Sequence, residues 1–128
     1  MGTNPNNSAS NMLRFTDGAV QFRLRIAVAL LSHRTILIQN IRADSITSPG
    51  LLNHEVCFLR LIDSITDGTM LQINDTGTQV RMKPGILMGY TQPDTFICAS
   101  SRNVGWYIEG LLPLIAFGKE EMDIKLQG

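Results

Sequence analysis

The chain has 128 residues, 44% of them hydrophobic and 17% charged, and its 11 basic and 11 acidic residues cancel. That composition excludes a disordered polymer, and the length supports one domain with a core of its own. A formal net charge of zero also argues against a strong autonomous nucleic-acid binder, whose affinity rests on neutralised phosphates.

Residues 1–11 carry no large apolar side chain beyond the initiator and are expected to form a disordered tail. A short strand over 12–15 follows, then Asp17 as N-cap of a helix over 20–32. The apolar residues of this helix leave only a narrow polar stripe, which predicts burial on most of its circumference. Arg23 and Arg25 stand near its amino end, where a cation gains nothing from the macrodipole. An anionic contact is one reason for them; guanidinium heads reaching solvent from apolar stems are the other. His33 reads as a turn residue.

Residues 35–41 are rich in β-branched side chains and predict an interior strand. Arg42 leads from it into a polar loop whose Ser45, Thr47 and Ser48 fit turn chemistry. Pro49 opens a helix over 51–66, with Leu52, Val56, Leu59 and Ile62 as its apolar stripe, His54 and Glu55 on a solvated first turn, and Gly68 as its terminator. Alternation over 70–74 and 78–82 around Asp75-Thr76-Gly77 predicts a hairpin, and Lys83-Pro84-Gly85 breaks the strand before 86–88. This β-α-β-α-β-β order implies an α/β (α+β) sandwich with both helices on one face of a four-stranded sheet.

A polar linker over 90–94 then leads to a second β-α-β, with strand 95–99, helix 103–117 and strand 122–127. Pro113 predicts a kink in that helix, and Trp106 and Tyr107 suit core packing better than base stacking. The expected organisation is a tail over 1–11, a βαβαββ unit over 12–90 and the incomplete beginning of a second unit over 91–128.

Charge is unevenly placed along these units. Up to Arg42 there are five arginines (Arg14, Arg23, Arg25, Arg34 and Arg42) against Asp17 alone, whereas six basic residues face ten acidic ones from Ala43 onward. A basic first third joined to an acidic remainder suits a wedge between RNA and a basic protein; arginines scattered over unrelated faces are the alternative. Cys57 and Cys98 lie far apart in apolar runs with no histidine beside either, the pattern of two buried thiols in a reducing compartment. No basic-then-apolar leader opens the chain and no apolar run reaches the ~18 residues of a membrane span, so a soluble, intracellular protein is expected. The residues show no catalytic group, metal-ligand set or cofactor site. They do offer Arg23, Arg25 and Arg42 as an anion-facing patch for RNA phosphates or acidic partner side chains, brought to one rim by chain reversal.

Several motifs agree on a family. Ile41-Arg42-Ala43, a polar gap and Pro49-Gly50-Leu51-Leu52 resemble the I-R-A…P-G-L signature of the RNA 3′-terminal phosphate cyclase family. Gln21-Phe22-Arg23-Leu24-Arg25 resembles the helix start of its nucleolar branch, and Gly77-Thr78, Lys83-Pro84-Gly85 and the run from Val104-Gly105-Trp106-Tyr107 to Leu112 recur in the family's order. The cyclases open their first helix with a glutamate and three glycines, and carry a second arginine two residues after I-R-A. Asp17-Gly18-Ala19-Val20 and Ser45 stand at those places here.

The resemblance therefore implies the cyclase-like, non-catalytic branch and the N-terminal portion of a longer chain. It implies a structural factor of the small-subunit processome, acting in pre-ribosomal RNA processing in the nucleus and nucleolus. Its implied partners are a processome GTPase, pre-ribosomal RNA and other assembly factors, with no cofactor, no membrane and no small-molecule substrate. The alternative is an RNA-processing enzyme, a 3′-phosphate cyclase or an endonuclease, whose catalytic residues lie beyond this segment.

Overall fold

The computed structural model describes residues 11–118 and 121–128, without the side chains of 92–94. The tail expected over 1–11 lies outside the described residues except for Asn11.

Three consecutive apolar residues make β2 (Ile36–Ile38), which is buried throughout. It pairs in parallel with β1 (Leu13–Phe15) and antiparallel with β5 (Val80–Lys83), and β5 pairs with β4 (Met70–Ile73) across the hairpin, giving the order β1-β2-β5-β4. A parallel pair needs a crossover, and α1 (Phe22–Ser32) supplies it. The second helix, α2 (Asn53–Ser64), connects β2 to the hairpin side of the sheet. Ile36, Ile38, Val80 and Met82 point to one face, and they share a core with Ile26 and Ala27 of α1 and Phe58, Leu59 and Ile62 of α2. Both helices therefore cover the same face, as the sequence pattern implies. Each fully buried aliphatic side chain in that layer contributes about 1.5–3 kcal/mol relative to exposure.

Several boundaries differ from expectation for local reasons. Asp17 does not cap α1, which begins at Phe22 after Gln21 in a left-handed conformation (φ 51°). Its carboxylate instead accepts two hydrogen bonds from Arg25, at 2.5 and 3.0 Å. The central strand stops at Ile38, because Asn40 and Arg42 both take positive φ. The second helix stops at Ser64, and Thr66–Asp67 forms β3, paired antiparallel with β6 (Ile86–Leu87) in a small separate sheet. Gly68 (φ 85°) then turns the chain between β3 and β4 rather than terminating the helix. His33 is the turn residue expected, with φ 55° at the end of α1.

The stretch expected as a linker is strand. β7 (Tyr90–Ile97) runs through it and pairs in parallel with β8 (Asp123–Gln127), absorbing the polar stretch in a register shift between Tyr90 and Thr95. Between them, α3 (Val104–Phe117) is capped by Asn103, whose Oδ1 accepts from the Trp106 amide at 3.0 Å, and continues as helix through Pro113. This helix packs along α1, and Gly110 permits the approach: a Cβ there would lie 2.5 Å from the Phe58 ring and 3.1 Å from Arg23 Cδ.

Tyr107 is fully buried, and its hydroxyl donates to the Ala99 carbonyl at 3.2 Å. Cys57 and Cys98 are buried free thiols, and Cys57 Sγ accepts from the Ala99 amide. Burial on most of its circumference does not hold for α1. Leu24, Val28 and Leu31 form an exposed stripe that continues to Val20 in the turn before the helix, and Ile108, Leu112 and Ile115 form another on α3. The reason is that sheet and neighbouring helices reach only one side of each. No helix among the described residues is long and apolar enough to cross a membrane.

Candidate functional site

Three elements begin at one place. The first turns of α1, α2 and α3 border a cleft of about 450 Å³, lined among others by Arg23, Arg42, His54, Glu55, Arg102 and Trp106. Each helix start carries the positive end of a macrodipole, so three such ends meet at one opening.

Arg23, the second residue of α1, lies over the Trp106 ring at 4.6 Å and donates to the Trp106 carbonyl at 2.7 Å. Its guanidinium is 3.5 Å from Glu109 at the exposed rim. Arg42 projects from the loop after β2 in a fork-to-fork pair with Glu55, at 2.7 and 3.0 Å, and also donates to the Gly50 carbonyl. Glu55 sits in the first turn of α2, where Oε1 accepts from the Leu52 amide at 2.8 Å as well. A carboxylate suits that helix end. Its hydrogen bond raises the Arg42 guanidinium above its ordinary value.

Of the three arginines read from the sequence as a patch, two meet here. Arg23 and Arg42 line the cleft; Arg25 is outside its lining, stacked on Phe15 at 3.9 Å and paired with Asp17, whose carboxyl it holds below the usual range. Arg102 is the residue that sequence reasoning passed over. It precedes the cap of α3, and its signal was positional, since helix starts that follow parallel strands gather at one end of a sheet.

The expectation of a solvated first turn for His54 and Glu55 is overturned, since both are buried at 7% and 4% exposure. Their covers come from distant sequence: Trp106 meets the His54 ring edge-on at 5.0 Å, Ser101 Oγ lies 3.2 Å from its Nδ1, and Arg42 covers Glu55. Among the described residues, no group of three His, Cys, Asp or Glu is placed to hold a metal ion.

Burial, reinforced by the Arg102, Arg42 and Arg23 charges and opposed by Glu55, holds His54 below its ordinary value of 6.5. A histidine so depressed stays neutral in the fold while the unfolded chain takes up the proton. Its contribution to stability is therefore present above about pH 6.5 and lost as pH falls below it. Denaturant midpoints at about pH 7.5 and about pH 5.5 should show that decline, and His54→Gln should flatten it. An equal slope in the variant would place the decline elsewhere.

Comparison with known proteins agrees with the motifs. Residues 15–128 match the family model described as RNA 3′-terminal phosphate cyclase. The chain is 44% identical over 111 residues to the rRNA processing protein RCL1 of Saccharomyces cerevisiae, covering 87% of this chain and 29% of that one. It is 44% identical over 117 residues to a probable RNA 3′-terminal phosphate cyclase-like protein of Dictyostelium discoideum, covering 91% and 31%. With the RNA 3′-terminal phosphate cyclase-like protein of Homo sapiens it shares 40% over 106 residues, covering 83% and 28%. The chain thus spans under a third of the length of these relatives. A match over nearly the whole chain, on a fold with the helices and sheet that the motifs imply, establishes that it belongs to the RNA 3′-terminal phosphate cyclase family.

Proposed function

We propose that this chain is a non-catalytic assembly factor in pre-ribosomal RNA processing, acting within the small-subunit processome of the nucleolus. The observation that carries the reading is the cleft, where three helix starts meet beside Arg23, Arg42 and Arg102 while, among the described residues, Glu109 and Glu55 balance only the first two. RNA phosphates or acidic side chains of an assembly partner, a processome GTPase among them, fit that chemistry. A relative named as an rRNA processing protein supports the same setting.

The non-catalytic part of the reading rests on how the groups near the cleft are engaged. Glu55 occupies both arms of the Arg42 fork, and Ser45, where the resemblance places a cyclase arginine, accepts the Ser48 amide in its own turn at 3.1 Å. Ala19, at a place where cyclases carry glycine, lines the cleft. Incubation with ATP and RNA ending in a 3′-phosphate should give neither adenylated protein nor cyclic phosphate. Either product would favour the enzymatic alternative instead.

Alanine at Arg23, Arg25, Arg42 and Arg102, singly, tests the contact itself. An arginine on a phosphate should lower the salt slope of association with pre-ribosomal particles by about one when it is removed. Unchanged association in the Arg23, Arg42 and Arg102 variants would reduce the cleft to surface, whereas Arg25, outside its lining, reads the neighbouring rim alone.

A further inference from the structure

The outer face of the four-stranded sheet, turned away from the core, carries cations without carboxylates. Strand register sets Arg14, Leu37, Arg81 and Gln72 side by side across β1, β2, β5 and β4, and sets Met70 opposite Lys83 in the neighbouring row. None of the four strands contains an aspartate or a glutamate. Arg14, Arg81 and Lys83 are exposed, and no ion pair engages them among the described residues. Arg23, Arg25 and Arg42, by contrast, each have a carboxylate of their own. Beside these cations, Thr35, Met70, Gln72, Arg81 and Lys83 border a hollow of about 290 Å³.

We propose that this face binds single-stranded RNA, with phosphates on Arg14, Arg81 and Lys83 and a base in the hollow. Strands ~4.8 Å apart place Arg14 and Arg81 about 10 Å from each other across β2, and two residues along β5 place Lys83 about 7 Å from Arg81. The second interval is on the scale of one nucleotide step in an extended strand. The hollow offers a hydroxyl, an amide, a thioether and a guanidinium plane, which are groups that hydrogen-bond to a free base edge or stack on a base. A duplex keeps its base edges paired and cannot fill it. An acidic protein would match the charge, but the row lacks the exposed aromatic anchors and deep apolar pockets on which protein interfaces concentrate their binding energy. The surface lies on the opposite side of the sheet from the helices that frame the cleft, so it stands whether or not the cleft holds an anion.

Fluorescence anisotropy of a labelled oligouridine, titrated with the full chain across a series of KCl concentrations, tests the proposal. Arg14→Gln, Arg81→Gln and Lys83→Gln should each lower the salt slope by about 0.7, and by about 2 together. Reading the single variants alongside the triple one keeps the result independent of whether the triple variant folds. Arg81→Lys should preserve the slope yet bind more weakly, because it keeps the charge and loses the plane. Duplex RNA should compete poorly and polyglutamate not at all. Unchanged slope and affinity in the single variants, or polyglutamate competing as well as RNA, overturns the proposal. Arg23→Ala and Arg102→Ala, which leave the sheet intact, read the cleft separately.

Discussion

Leu59→Ala is expected to lower stability by about 2–5 kcal/mol, the range for truncating a leucine in a packed core. Leu59 is 1% exposed on the face of α2 that shares the core with Ile36, Ile38, Val80 and Met82. Its neighbours belong to several elements, so they cannot collapse far into the space left by the lost methyl groups. Cavity and transfer costs therefore add. Arg60→Ala, on the exposed side of the same helix, is the control and should stay within about 0.5 kcal/mol. Urea denaturation of the three proteins decides the matter. A loss below about 1 kcal/mol for Leu59→Ala would mean that α2 does not lie on the sheet as described.

A second large effect is expected at the Arg42–Glu55 pair. Arg42→Ala should cost about 3 kcal/mol, the low end for breaking a buried ion pair. The Glu55 carboxylate is 6% exposed and would keep only the Leu52 amide as partner, while Arg42 itself is 33% exposed and already partly screened by water. Arg42→Met with Glu55→Leu should recover most of the loss, because it removes the stranded charge along with its partner. Measured stabilities of the single and double variants would settle it. A double variant no more stable than Arg42→Ala would show that the loop after β2 depends on these two groups for more than charge balance.

The parts of the fold that could be read from the chain are those whose cause is local. Ile36 to Ile38 announce a buried strand, the stripe through Leu59 and Ile62 announces α2, and Asp75-Thr76-Gly77 announces the hairpin. Where a competing partner lies far along the chain, local pattern misleads. Asp17 has the chemistry of a cap but is claimed by Arg25, and Gly68 looks like a helix end although β6 draws Thr66 and Asp67 into strand first. The candidate site divides in the same way. Arg23 and Arg42 stand out as cations near element ends, whereas the burial of His54 depends on Ser101 and Trp106, residues of the second β-α-β. Nothing around His54 in sequence signals them.

Trp106 is the chain's one tryptophan, and its indole lies within the cleft, under the Arg23 guanidinium and against the edge of the His54 ring. Intrinsic fluorescence excited in the indole band therefore comes from a single, known position. An anion that draws Arg23 away from the ring changes the emission maximum and the quenching by iodide or acrylamide, and protonation of His54 quenches it through the neighbouring imidazolium. Occupancy of the cleft can thus be followed optically in unlabelled protein, with RNA bound on the distant sheet face leaving the signal unchanged.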